Sequence, residues 1–120
     1  MWNMLKTYNL LNQSWIVEIC SIIDFKQKND WYYLKCRANL KNNTELFIEE
    51  NFESGELYYS YHWQEKSGKL IRRWDNAPHH KEIITFPHHV HSTIVEPLFK
   101  PDFKHILKEI EILIEQQNSE

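Results

Sequence analysis

Four segments of this chain repeat one pattern. Trp31–Leu40 sets Tyr32, Leu34, Cys36, Ala38 and Leu40 at alternate positions against Tyr33, Lys35, Arg37 and Asn39. Thr44–Phe52 alternates Leu46 and Ile48 with Glu45 and Glu49, and Glu56–Gln64 carries Leu57, Tyr59, Tyr61 and Trp63 at every second place. Lys69–Asp75 sets Leu70, Arg72 and Trp74 against Ile71, Arg73 and Asp75. A period of two predicts a strand with one buried face. The spacers constrain the fold as much as the runs do. Asn29-Asp30, Lys41-Asn42-Asn43, Ser54-Gly55 and Lys66-Ser67-Gly68 are too short to hold a crossover helix, so consecutive runs must pair antiparallel. Ser14–Phe25, rich in Ile and Val, adds a run ahead of them. The expectation is a β-meander of about five strands.

The period changes after residue 101. Phe103, Ile106, Leu107, Ile110, Leu113 and Ile114 recur at three and four, with Lys104, Lys108, Glu109, Glu111 and Glu115 between them. That spacing predicts an amphipathic helix of about four turns, begun by Pro101 or Asp102 and packed on one face of the sheet. Leu5, Leu10 and Leu11 at the other end are compatible with a short helix or an irregular lead-in. The predicted class is α+β, with one domain over residues 1–120 and one core.

Composition narrows the function classes. A net charge of −3 does not suit a general nucleic-acid binder, but five Lys/Arg lie between Lys66 and Lys81 and form a local basic stretch. Two glycines leave no Gly-rich phosphate loop. Cys20 and Cys36 fall in predicted strands without metal-knuckle spacing. Reduced thiols in a cytoplasmic protein are the expectation, with a cross-strand disulfide left open. Met1–Ile23 lacks a basic stretch followed by a clean apolar one, and no window approaches a membrane span of roughly 20 apolar residues.

The chemistry-bearing residues are concentrated. Residues 72–91 read Arg-Arg-Trp-Asp-Asn-Ala-Pro-His-His-Lys-Glu-Ile-Ile-Thr-Phe-Pro-His-His-Val-His and hold five of the seven histidines. Alternation puts Arg73 and Asp75 on one face of their strand. If residues 87–91 are extended, His89 and His91 share a face and His88 opposes them. Pro78 and Pro87 restrict the residues before them and stiffen both approaches. Three readings fit. In metal-free RNA cleavage, which needs no cofactor, one imidazole takes the 2′-hydroxyl proton and another protonates the leaving 5′-oxygen. Arg73 then holds the phosphate and Asp75 orients a ring. The candidates for these roles are Arg73, Asp75, His79, His80, His88, His89 and His91, with Arg72, His62 and Tyr61 as substrate contacts. In the second reading, His89 and His91 join His79 or His80 and Asp75 as ligands of zinc, manganese or nickel. In the third, the histidines are structural or form a binding surface without turnover. The aromatics Tyr59, Tyr61, Trp63 and Trp74 are likewise a base-stacking platform or simple cross-strand packing.

Three blocks carry a resemblance: Tyr58-Tyr59-Ser60-Tyr61-His62-Trp63-Gln64, Leu70-Ile71-Arg72-Arg73-Trp74-Asp75-Asn76-Ala77-Pro78-His79-His80 and Thr85-Phe86-Pro87-His88-His89-Val90-His91. Together they resemble the DUF6516 family, which includes TumE-type toxin components of prokaryotic toxin–antitoxin systems. The resemblance covers most of the chain but not residues 1–29. It implies a small growth-inhibiting toxin whose partner is a cognate antitoxin of helix-turn-helix type. By analogy with toxins of this size it also implies an endoribonuclease acting on RNA. Oligomeric state and RNA target are left open.

Overall fold

In the computed structural model, residues 2–118 are described, with side chains from residue 6 onward; Met1 and the Leu5 side chain lie outside the described residues. A helix, α1 (Trp2–Gln13), leads into seven strands and a closing helix, α2 (Phe103–Asn118). The strands are β1 (Val17–Lys28), β2 (Trp31–Leu40), β3 (Thr44–Glu53), β4 (Glu56–Glu65), β5 (Leu70–Asp75), β6 (His89–His91) and β7 (Val95–Pro97). They form one sheet in sequence order, and each pairs antiparallel with the next.

The meander and α2 follow the alternation and the three-four spacing. The strand count is seven rather than about five, because β6 and β7 have three residues each and are too short to show a period. The first strand also moves. It spans Val17–Lys28 instead of Ser14–Phe25, since Ser14 and Trp15 turn out of α1 and polar Lys26–Lys28 stays paired with Trp31–Tyr33. Four turns are closed by residues that tolerate positive φ: Asn29 (50°), Asn43 (70°), the pair Ser54 (52°) and Gly55 (79°), and Gly68 (96°). Two consecutive positive values at Ser54-Gly55 match the twist of the flanking strands.

The pleat divides the sheet into two faces. One carries Leu34, Ala38, Leu46, Ile48, Tyr61, Trp63, Trp74 and Val90, and it packs with Leu11 of α1 and Phe103, Ile106, Ile110 and Ile114 of α2 into a single core. Tyr61 meets Phe103 with ring centroids 4.8 Å apart. Asp102 caps α2 by accepting the His105 N–H at 3.0 Å, so the helix proper begins one residue later. Arg72 reaches Glu109 at 2.8 Å, and Ser14 donates to Glu111 at 2.7 Å, tying α2 to β5 and to the turn between α1 and β1. Cys20 and Cys36 are free thiols on the core face. Among the described residues no helix is long and apolar enough to cross a membrane.

One acid sits inside that core. Glu50 is 1% exposed and accepts hydrogen bonds from Thr7 (2.9 and 3.1 Å), Tyr32 (3.0 Å) and Tyr61, which pins α1 to β2, β3 and β4. Burial raises its pKa above the ordinary 4.5, against the lowering effect of the three hydroxyls. A carboxyl raised on folding stabilises the fold below its unfolded pKa, and that stability is lost as pH climbs through the raised value. Glu50→Gln is therefore expected to flatten the fall in melting temperature above pH 4.5. Identical slopes for the two proteins in thermal unfolding would refute this.

Candidate active site

The site is built by one strand pairing. β5 meets β6 with Arg73 opposite His91, Trp74 opposite Val90 and Asp75 opposite His89. Trp74 and Val90 belong to the core, so the pleat turns Arg73, Asp75, His89 and His91 together to the other face. Asn76 follows where β5 stops. Its side chain accepts the Tyr59 N–H at 2.9 Å and donates to the Leu57 carbonyl at 2.8 Å, extending the ladder of β4 without a strand. The loop then folds in short turns. His79 N–H bonds to the Ala77 carbonyl at 2.7 Å, and His80, at φ 59°, turns the chain back over β6. The Phe86–Pro87 peptide is cis. Thr85 closes the loop by donating to the His88 carbonyl at 2.6 Å and accepting the Leu98 N–H at 2.9 Å.

Asp75 is the hub. It is 4% exposed. One carboxylate oxygen lies 3.0 Å from His89 Nε2 and accepts the Ala77 N–H at 3.0 Å. The other faces Arg73 Nε at 3.2 Å and His91 Nε2 at 3.8 Å. His89 is buried, and its second nitrogen, Nδ1, lies 2.8 Å from the Pro87 carbonyl. A carbonyl only accepts, so Nδ1 is the donor of that bond. Asp75 thus stands between the His89 ring and the Arg73 guanidinium. Arg73 itself keeps 46% of its side chain in solvent and spends only Nε on Asp75. Among the described residues its remaining N–H groups meet no acceptor and can take an anion.

Three imidazoles meet at this corner. Ring centroids are 4.7 Å apart for His89 and His91, 5.1 Å for His80 and His89, and 5.4 Å for His80 and His91, all edge to face. His91 titrates below the ordinary histidine value. Burial is the largest cause, the charges of His89, His80 and Arg73 add to it, and Asp75 opposes them. His91 is thus a neutral ring at neutral pH, beside the Arg73 guanidinium and the His89 ring. Ligand nitrogens of His80, His89 and His91 lie within 4.8 Å of one another, a spacing that a divalent transition metal accepts. For His89 to ligate, it would have to give up either Asp75 or the Pro87 carbonyl.

The other candidates lie elsewhere. His79 is exposed, and its one ring contact among the described residues is with His80 at 6.5 Å. His88 points to the opposite side, where its Nδ1 bonds Tyr59 Oη at 2.9 Å; burial first, then the charge on His89, lowers its pKa. Arg72 faces α2 and is held by Glu109, and Tyr61 is buried against Glu50. His62 lies on the site's face, paired across β4–β5 with Arg73. The sequence reading passed over Asn76, Ala77 and Thr85, which shape the loop. Asn after the last strand residue is the turn signal that marks the first of them.

The family model of toxin TumE matches residues 7–117, a span that takes in every strand, the whole histidine loop and nearly all of α2. No curated protein and no solved structure matches the chain.

Proposed function

This chain belongs to the TumE toxin family, the toxin half of a toxin–antitoxin pair, and from that premise we propose that it cuts RNA with the Arg73–Asp75–His80–His91 corner. Neutral His91 takes the 2′-hydroxyl proton, and the freed oxygen attacks the adjacent phosphorus. Charge gathers on the phosphoryl oxygens, where the N–H groups of Arg73 stabilise it. His80, 5.4 Å from His91, gives its proton to the departing 5′-oxygen. The products are a 2′,3′-cyclic phosphate and a 5′-hydroxyl. Asp75 holds His89 and Arg73 in place and does not itself exchange protons. The single observation that supports the reading is the convergence of a lowered-pKa histidine with two further imidazoles and the Arg73 guanidinium on one sheet face. The antitoxin, in this proposal, is of helix-turn-helix type.

A second reading rests on the three clustered ring nitrogens, which suit a metal-dependent nuclease. Incubating purified protein with RNA in EDTA separates the two. The metal-free mechanism predicts undiminished cleavage and cyclic phosphate ends. Cleavage that needs added zinc, manganese or nickel supports the second reading, and absence of any cleavage refutes both. The pH profile adds a signed expectation. The active base is the deprotonated ring, so the acid limb of the rate should fall below pH 6.5. A limb at or above that value would contradict His91 as base.

A further inference from the structure

The same face of the sheet carries a row that runs away from the histidine corner. Cross-strand pairing sets His91 opposite Arg73, Arg73 opposite His62, His62 opposite Phe47, Phe47 opposite Arg37 and Arg37 opposite Ser21. Directly opposed residues share a face. Two guanidiniums therefore bracket two rings, and the row ends at the base of the proposed reaction. Arg37 and Arg73 lie three strand spacings apart, about 14 Å. Arg37 sits over the Phe47 ring at 5.7 Å and is anchored by Glu45, while the Phe47 and His62 rings meet at 6.4 Å. Each arginine has 46% of its side chain in solvent.

The neighbouring rows carry no ring pair of this kind: Lys35, Glu49, Ser60 and Asp75 follow one another on one side, and Asn39, Glu45 and Gln64 on the other. The half-exposed guanidiniums of the central row are the groups placed to meet a polyanion, since Glu45 and Asp75 are buried against them. Rings on an open sheet face stack unpaired bases, whereas a duplex keeps its bases inside and offers them no plane.

We infer that Arg37, Phe47, His62 and Arg73 form a track for single-stranded RNA, with phosphates at the two guanidiniums and bases on the two rings, leading the strand into His91. This rests on the RNA reading above and adds what that reading lacks: the strandedness of the substrate and the side chains that hold it away from the cut.

The test uses the full chain and a fluorescent 2′-O-methyl RNA oligonucleotide of about ten residues, which binds but cannot be cut. Binding is read by anisotropy beside cleavage of the unmodified RNA. Phe47→Ala is expected to weaken binding about five- to hundred-fold, and Phe47→Leu, which keeps apolar volume but not the ring, by a similar factor. Arg37→Gln should lower the slope of log affinity against log salt by about one. The same RNA in duplex should bind at least about tenfold more weakly. Melting curves identify any variant that fails to fold, and Phe47→Leu then carries the result. If both Phe47 variants and Arg37→Gln bind like the parent while the parent binds and cuts RNA, the track is overturned and the nuclease reading stands. If duplex binds as well as single strand, strandedness is overturned. If the parent neither binds nor cuts RNA, both readings fall.

Discussion

Asp75→Ala is expected to cost about 3–5 kcal/mol of folding stability and to end RNA cleavage. The carboxylate is buried and serves four partners at once: His89, Arg73, the Ala77 N–H and, more distantly, His91. Removing it leaves the buried His89 Nε2 and the Ala77 N–H without their partner. The Pro87 carbonyl at 2.8 Å satisfies only Nδ1 of that ring. Denaturant midpoints measure the loss, and a double-mutant cycle identifies its cause. Asp75→Ala with His89→Ala should be less destabilising than the sum of the two single changes, because each single change already removes the contact the two share. Additivity within about 0.5 kcal/mol would show that the two are not coupled. Asp75→Asn should recover part of the stability, since its amide oxygen still accepts one hydrogen bond, but it lacks the charge that holds Arg73.

His91→Ala is expected to slow RNA cleavage about 10²–10⁴-fold with little change in melting temperature. Its side chain is 29% exposed, and Asp75 stands 3.8 Å from it, too far for a strong bond, so the fold does not lean on it. Growth arrest on expression should be lost with the rate. Added imidazole should restore part of the cleavage, and the acid limb assigned to this ring should vanish from the profile. A variant that cuts and arrests growth like the parent would remove His91 from the mechanism. A loss of rate matched by a loss of melting temperature would make it a structural residue.

The contrast between neighbouring histidines shows what was legible in the chain. The shared face of Arg73 and Asp75, and that of His89 and His91, follow from alternation, because the direction of a side chain on a strand is a local property of the backbone. So does the opposite direction of His88. His79 and His80 look equivalent as residues, yet the turn at φ 59° brings His80 onto the other two rings and leaves His79 in solvent. Tyr61 and Arg72 read as substrate contacts from their types, but the core face carries both, where Glu50 and Glu109 hold them. Glu50 itself continues the apolar alternation of β3 as a polar residue, and only the hydroxyls of Thr7, Tyr32 and Tyr61 explain it.

β2 could be bounded to the residue from its alternation, while β1 could not. β1 is an edge strand whose register breaks between Val17 and Ile19 and again between Ile22 and Asp24, and each break exchanges the faces. Ile19 consequently faces away from the core, opposite Asn39, and stays exposed. By itself the sequence determined the antiparallel order, which residues of β2 to β5 share a face and the amphipathic helix, since pleat, helical period and short turns act over neighbouring residues. The partnership of β5 with β6 was decided by tertiary structure alone. It sets Asp75 against His89 across a loop of thirteen residues, and such a contact depends on where the loop's ends pack rather than on the order of side chains within it.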